Sequence, residues 1–201
     1  GTLKAQTIQA GGNGANWADV SNTRQFNWSG GTIQNLSGTN LTMSAGSGLV
    51  YTLSGATDKT FNADNGQSIT VNSGLTGSGG NLVKTGAGTL YLNATNTYTN
   101  STMVDVGTLI VGGGGTGSIT SNVAVASGAT LGGSGTITGN VTLAAETSSG
   151  AKDGGKLAAG NSPGVLTVDG NTSFNTGSIF EWEINATGTP SRGTGGYDGV
   201  N

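Results

Sequence analysis

The feature that most constrains the fold is a strand start that returns after a short interval. Gly88-Thr89-Leu90 is followed by Gly107-Thr108-Leu109, with an Asn- and Thr-rich stretch between them. Similar starts recur along most of the chain, at Gly1, Gly31, Gly128, Gly135, Gly155 and Gly164. A degenerate repeat of about 20 residues is typical of a coil that stacks on itself, because each repeat buries its apolar side chains only against the next.

The spacing of apolar residues predicts short strands and almost no α-helix. The 201 residues include 40 glycines and are 33% hydrophobic and 5% aromatic, which is little for a compact core of that length. No stretch has helical periodicity, whereas many short runs alternate apolar with polar residues, as strands with one buried face do. These runs are residues 69–71, 90–92, 104–106, 109–111, 123–125, 137–138, 141–143 and 165–168.

A parallel β-helix accommodates such strands better than a β-sandwich, which needs longer strands and bulkier core residues. Glycine and asparagine supply the positive φ angles that its corners require. We therefore predict an all-β, right-handed parallel β-helix (β-solenoid) of roughly ten short rungs, about 5 nm long at about 4.8 Å per rung. Its stability would come from like residues stacked on neighbouring rungs, including ladders of Thr and Asn.

The domain organisation is predicted as a single β-solenoid segment, residues 1–201, of a longer protein, because the chain begins in the middle of the pattern. Residues 1–78 would form irregular N-terminal rungs, residues 79–111 a repeat, and residues 112–201 the C-terminal rungs. Large residues near both ends are candidate caps, or alternatively wider rungs or loop anchors. They are Trp17, Arg24, Phe26 and Trp28 at one end and Phe180-Glu181-Trp182-Glu183 at the other.

The composition excludes several classes of function. Cysteine and histidine are both absent, which removes disulfides, thiolate nucleophiles, Ser-His catalysis and imidazole metal ligands. The net charge is -3 and the seven Lys and Arg residues are dispersed, so nucleic acid is not expected as a partner. No stretch is long and apolar enough to predict a membrane-spanning helix.

Three groups of residues could carry chemistry, but each has a simpler interpretation. Glu181 and Glu183 would share one strand face about 7 Å apart, a separation compatible with glycoside hydrolysis, yet also typical of a solvated strand face. The aspartates match no calcium motif and are better explained by turns: Asp58, Asp64, Asp153, Asp169 and Asp198. The glycine runs 112–115 and 133–135 lack the Gly-Lys-Ser/Thr of a phosphate loop and predict corners. We therefore predict no catalytic, cofactor-binding or metal site.

Two further sets of residues could modify the surface of the rod or bind ligands there. Asn-x-Ser/Thr triplets arise by chance in such a composition and do not predict glycosylation; they begin at Asn27, Asn35, Asn40, Asn93, Asn100, Asn140, Asn171 and Asn185. Tyr51, Tyr91 and Tyr98, with the tryptophans, could stack on sugars as in an adhesin, or could pack on rungs, which we favour.

The central segment resembles the autotransporter-associated β-strand repeat, also called the passenger-associated transport repeat. The resemblance rests on Leu-Val-Lys-Thr-Gly-Ala-Gly-Thr-Leu-Tyr-Leu at 82–92, Asn-Thr-Tyr-Thr at 96–99 and Val-Gly-Thr-Leu-Ile-Val at 106–111. The blocks 128–137, 157–166 and 180–184 are similar to those that follow such repeats, and 26–33 to the part upstream, so that about three quarters of the chain is covered. Ala159 stands where family members usually have proline.

The resemblance implies an exported bacterial surface protein with a right-handed parallel β-helix, in which the repeat helps the passenger to fold outside the outer membrane. It transfers no catalytic residues. The leading hypothesis is a non-enzymatic extracellular stalk or fibre segment, with a variant that self-associates end to end through open strand edges. The alternatives are an adhesin that binds glycans or a host surface, and a polysaccharide lyase or hydrolase on the same scaffold.

Overall fold

A computed structural model describes residues 1–9, 24–44, 49–114, 116–160, 164–182 and 199–200. Within these residues the chain forms 24 strands and no helix. All pairs of these strands are parallel, and each pair joins strands three places apart in the chain; β9 and β12 are the exception, since they do not pair. Three successive strands therefore make one coil, and eight coils stack to form a parallel β-helix with three faces.

The strands are numbered in chain order. Face 1 contains β1 (Thr2–Ala5), β4 (Gly31–Asn35), β7 (Lys59–Asn62), β10 (Leu82–Thr85), β13 (Thr102–Val104), β16 (Val123–Val125), β19 (Val141–Leu143) and β22 (Thr172–Phe174). Face 2 contains β2 (Thr7–Gln9), β5 (Leu41–Ser44), β8 (Ser68–Val71), β11 (Thr89–Leu92), β14 (Thr108–Val111), β17 (Thr130–Gly133), β20 (Lys156–Ala159) and β23 (Ile179–Glu181).

Face 3 is divided into two sheets. The first contains β3 (Arg24–Trp28), β6 (Leu49–Leu53) and β9 (Leu75–Gly77). The second contains β12 (Thr95–Asn96), β15 (Ser118–Ile119), β18 (Thr136–Ile137), β21 (Val165–Val168) and β24 (Gly199–Val200). The backbone N–H of Thr97 donates to the Leu75 carbonyl at 2.9 Å, so that the two sheets meet between the third and fourth coils. The first coil comprises β1 to β3, and the fourth comprises β10 to β12.

The core is a set of columns, in which the residue at one inward position stacks on its register partner in the next coil. On face 2, Leu41, Ile69, Leu90, Leu109 and Leu131 form one such column, and all five are fully buried. The residues between the inward positions point outwards, which gives the alternating burial of β11 and β14. In these strands the apolar residues at alternate positions therefore point into the core, and the residues between them point to the surface.

The corner between faces 1 and 2 depends on glycine where successive coils approach closely. Gly86 and Gly107 have φ angles of 73° and 76°, in the left-handed region that other residues rarely adopt. A Cβ atom at Gly107 would lie 2.4 Å from the Gly86 carbonyl oxygen. The corner therefore requires glycine both for its conformation and for its packing.

The predicted all-β parallel β-helix is confirmed. Most of the predicted strands are also present, but the run 104–106 is wrong, because β13 ends at Val104 and Val106 lies in the corner with 48% of its surface exposed. The described residues form eight rungs, compared with the roughly ten expected. Register partners lie 18 residues apart at Ser118 and Thr136 but 31 apart at Thr142 and Ser173, since the corners vary in length. The right-handed sense of the coil is expected from the strong preference of parallel crossover connections.

The large N-terminal residues belong to rungs. Trp28 is 6% exposed in β3 and packs edge-on against Phe61, with ring centroids 5.0 Å apart. Phe26 contacts the ring of Tyr51. Trp17 lies outside the described residues, as do the side chain of Arg24 and all of Glu183. The interpretation as wider rungs therefore fits Phe26 and Trp28.

Candidate functional site

The least expected feature of the interior is a lysine in an apolar column. Lys84 occupies the inward position of face 1 between Phe61 in the third coil and Val104 in the fifth. Its side chain is 1% exposed. No ion pair involving Lys84 occurs in the described part of the chain, so the burial of this charge has to be compensated in another way.

Carbonyl oxygens of the corner surround the Lys84 ammonium group. Lys84 Nζ donates to the carbonyl oxygens of Thr85 at 2.8 Å, Gly86 at 2.6 Å and Val106 at 3.0 Å. The first two belong to its own coil and the third to the next coil. An ammonium group has three donors, and all three are used. Burial lowers the pKa of Lys84 to about 8, so the group still carries its proton at pH 7.

A second buried lysine, Lys59, has a similar arrangement at the opposite edge of face 1, where β7 begins. It is fully buried, and its Nζ donates to the Gly55 carbonyl at 2.8 Å and to the Gly79 carbonyl. Gly55 precedes the third coil and Gly79 precedes the fourth. Burial lowers the pKa of Lys59, and the neighbouring Asp58 carboxylate partly opposes this effect. Both lysines therefore join carbonyl oxygens of two successive coils.

A buried asparagine joins three coils. Asn96 Oδ1 accepts from the backbone N–H of Leu75 at 3.0 Å, in the third coil. Its Nδ2 donates to the Ala94 carbonyl at 2.7 Å and to the Ser118 carbonyl at 2.9 Å, in the fifth coil. Asn96 is fully buried, and its amide replaces backbone hydrogen bonds that the face 3 corner would otherwise leave unmade.

A chain of hydroxyl groups lies next to this asparagine. The Tyr98 hydroxyl lies 2.6 Å from Thr102 Oγ1, which lies 3.1 Å from Ser121 Oγ in the next coil. Burial raises the pKa of Tyr98 to about 12, with smaller opposing effects of the hydrogen bonds from Thr102 and Ser121. Tyr98 is therefore a neutral structural group and not a proton donor for chemistry.

The acidic candidates do not assemble into a site among the described residues. Glu181 Oε1 pairs with Lys156 Nζ at 2.8 Å on the exposed surface of face 2, while its predicted partner, Glu183, lies outside these residues. No group of three or more potential metal ligands occurs in the part of the chain that the structure describes. Nor does any helix that could cross a membrane occur there.

The sequence predicted turn roles for all five aspartates, and three of them accept hydrogen bonds in the connections between strands. Asp58 Oδ1 accepts from the Asn81 N–H at 2.7 Å. Asp64 accepts from Gln34 Nε2 at 2.9 Å. Asp153 accepts from the N–H and hydroxyl of Thr147, and these two hydrogen bonds lower its pKa. Asp169 is an exposed residue of a bend, and Asp198 lies outside the described residues.

The glycine-rich corners and several asparagines of the Asn-x-Ser/Thr triplets form contacts between neighbouring coils. Gly112 lies in a corner with a φ angle of 67°, and the Ser134 hydroxyl donates to its carbonyl at 2.7 Å. Asparagines of several triplets accept backbone N–H groups of a neighbouring coil: Asn40 from Ser68, Asn93 from Gly113, Asn100 from Gly79 and Asn140 from Asn171. Asn35 is fully buried. Gly115 and Asn185 lie outside the described residues.

The three tyrosines differ in position. Tyr51 is 1% exposed and Tyr98 is not exposed, so the favoured interpretation, packing on rungs, is confirmed for these two. Tyr91 lies between the fully buried Leu90 and Leu92 of β11, and its ring points outwards from face 2. Tyr91 lines a surface groove of about 400 Å³.

The two ends of the β-helix expose apolar side chains. At the N-terminal end Leu3 is 44% exposed beside an apolar pocket of about 330 Å³, which Phe26 and Trp28 also line. At the other end Phe174 and Phe180 are 50% and 44% exposed and contact each other edge-on, with centroids 6.3 Å apart. The aromatic residues proposed as C-terminal caps are thus themselves uncovered in the described part of the chain.

Comparison with known protein families identifies one segment of the chain, the fourth coil and the start of the fifth. A search of curated proteins and of solved structures finds no match to the chain. One family model, the passenger-associated-transport-repeat, matches residues 82–111. This segment runs from β10 to β14 and contains Lys84, Asn96 and Tyr98. The chain therefore carries an autotransporter passenger repeat, set within a parallel β-helix.

Proposed function

We propose that the chain is a non-enzymatic structural module, a β-helical stalk exposed on the surface of a bacterium that exports it as an autotransporter-like protein. The observation that carries the proposal is the passenger-associated repeat at residues 82–111 in the middle of a stack of eight coils. At about 4.8 Å per coil the stack rises by roughly 35 Å. Such a rod places whatever follows it at a fixed distance from the cell.

The exposed location can be tested on intact cells of the organism that makes the protein. An antibody against residues 1–201 should label these cells, and added protease should remove the label without lysis. Labelling that appears only after the outer membrane has been permeabilised would contradict the proposal. A periplasmic protein of known location serves as the control for membrane integrity.

We further propose that one copy of the chain stacks end to end on the next, because the first and last described coils expose apolar side chains. Leu3 and Phe174 belong to the same inward column of face 1, at its two ends. Another copy placed head to tail would continue the three parallel faces, bury Phe174 over Leu3 and fill the pocket beside Trp28. A heterologous contact of this kind generates open filaments, and open strand edges promote it.

Electron microscopy and sedimentation on the same sample test this stacking. Filaments with a spacing of one coil should form at high concentration, and Phe174→Asp should abolish them because it places a charge in the contact. Uniform monomers of wild type at high concentration would refute end-to-end association but leave the stalk role standing. Thr142→Asp changes an exposed position on the same face and should not affect the filaments.

The enzymatic alternative has less support. Its only predicted acids are Glu181 and Glu183, and the carboxylate of Glu181 is engaged by Lys156. Any polysaccharide-cleaving activity of the chain should be unchanged in the double variant Glu181→Gln, Glu183→Gln. If the double variant lost a polysaccharide-cleaving activity that the wild type shows, the enzymatic interpretation would be supported.

A further inference from the structure

We propose that the groove over Tyr91 binds a neutral saccharide. The groove crosses the start of face 2 in the second, third and fourth coils and has a volume of about 400 Å³. Its lining combines one aromatic ring with short polar side chains, and glycine or alanine at the corners. The lining residues are Asn40, Gly66, Gln67, Ser68, Ala87, Gly88, Thr89 and Tyr91.

The ring of Tyr91 provides an apolar platform with a fixed position. Its register partners are Thr70 in the coil before and Ile110 in the coil after. Gly113 leaves room for the ring, since a Cβ atom there would lie 2.9 Å from Tyr91 Cδ1. The Tyr91 hydroxyl makes no hydrogen bond to the described residues. A tyrosine held in this way offers an apolar face and an unused polar end, the combination found at binding surfaces.

The polar side chains around the ring are available to a ligand. Asn40 Oδ1 accepts from the backbone N–H of Ser68 at 2.9 Å, which orients the amide and leaves its Nδ2 donors unused. The side chains of Gln67, Ser68 and Thr89 make no hydrogen bonds within the described part of the chain. Together they supply both donors and acceptors, as a ligand with many hydroxyl groups requires.

The charge of the groove selects the chemistry of the ligand. None of its lining residues is acidic or basic, so a phosphate, a sulfated glycan or a sialic acid would gain no counter-charge there. A neutral sugar ring has a face of C–H groups for the Tyr91 ring and hydroxyl groups at its edge for the amides and hydroxyls. A few placed polar groups around an apolar surface are the usual construction of a small-molecule site.

The close packing of two coils requires glycine at the floor of the groove. A Cβ atom at Gly88 would lie 2.1 Å from the Asp64 carbonyl oxygen, so the corner carries no side chain at this position. Stacking of coils alone would not need unused polar groups here, and the site adds a binding function that is independent of the stalk.

Saturation-transfer NMR with neutral oligosaccharides tests the site. The probes are maltohexaose, cellohexaose and mannohexaose, with sialyllactose as the charged comparison, each mixed with the folded chain. At least one neutral probe should bind, and sialyllactose should bind no better. Tyr91→Ala should weaken binding by about tenfold or more, as truncation of a central aromatic anchor does. Phe180→Ala, which removes an exposed ring elsewhere, should leave binding unchanged.

Three results would overturn the proposal: no binding of any neutral probe to wild type, equal binding by Tyr91→Ala, or an equal loss in Phe180→Ala. Circular dichroism establishes that each variant is folded. Should Tyr91→Ala not fold, Thr89→Val replaces a hydroxyl by a methyl group at constant shape, and the same weakening is expected from it. Unchanged binding in Thr89→Val would then count against the site.

Discussion

Raising the pH above 7 should stabilise this protein, because the folded state binds the proton of the buried Lys84 less tightly than the unfolded chain does. Burial lowers the pKa of Lys84 from 10.5 to about 8. Between these two values the unfolded chain binds the proton and the folded chain releases it. Stability therefore rises with pH across this window. The contribution is fully present above pH 10.5 and is lost as the pH falls through 8.

The size of the effect follows from the shift in pKa. One pKa unit corresponds to about 1.36 kcal/mol, so Lys84 alone adds about 3 kcal/mol to the free energy of unfolding across the whole window. Lys59, whose pKa burial also lowers, adds to the rise. Tyr98 opposes it at higher pH, since its pKa is raised from 10.0 to about 12 and its contribution is lost as the pH rises through that range. The stability maximum is therefore expected near pH 10.

Urea unfolding followed by far-ultraviolet circular dichroism, at several values from pH 7 to 10, measures the effect. In Lys84→Met most of the rise should disappear, because the methionine fits between Phe61 and Val104 but carries no proton to release. At pH 7 the variant should differ from wild type by less than about 2 kcal/mol, since relief of desolvation offsets the lost hydrogen bonds.

The exposed Lys4 of β1 provides the matched control, and Lys4→Met should retain the full rise with pH. A wild-type stability that is flat or falls between pH 8 and 10 would refute the reasoning. So would an equal rise in Lys84→Met, since the proton would then come from another group.

Three further substitutions test the packing. Gly88→Ala should destabilise by about 1–3 kcal/mol in a urea titration, because its Cβ would lie 2.1 Å from the Asp64 carbonyl oxygen and the coils would have to move apart; unchanged stability would refute the contact. Leu90→Ala empties a fully buried column position and should cost about 2–5 kcal/mol, measured as a fall in melting temperature together with new protease cleavage near β11. Lys156→Met removes the exposed pair with Glu181 and should cost at most about 1 kcal/mol, a loss that added salt should also reproduce in wild type.

The strands could be predicted from the sequence because their alternation is simple. In β11 and β14 every second residue is a fully buried leucine or valine, and the glycine that precedes each strand marks the corner. The number of coils could not be predicted in the same way, because it depends on corner lengths. The long excursion between β19 and β20, residues 144–155, contains no strand, and a uniform repeat would have placed one there.

The polar interior could be predicted only in part. Lys84 stands two residues after Leu82, in phase with the inward positions of β10, although Val83 between them is buried as well. Its partners could not be foreseen, because they are carbonyl oxygens whose direction depends on the positive φ of Gly86. The groove over Tyr91 could not be predicted from the sequence either, since residues of three separate corners form it. Composition identifies the residue types but not which corners become neighbours.

The buried polar groups explain how such a chain keeps its coils aligned. A shift of a coil by two residues keeps its inward side chains pointing inwards, so columns of leucine, isoleucine and valine oppose such a shift less than a shift by one residue. Asn96 accepts from Leu75 in the coil before and donates to Ser118 in the coil after, and Lys84 donates to Val106. Such a shift would take these partners away and leave a buried amide and a buried cation unsatisfied, at a cost of about 1–3 kcal/mol or more for each. The matched repeat thus contains the residues that fix one alignment of the fourth coil on both of its neighbours.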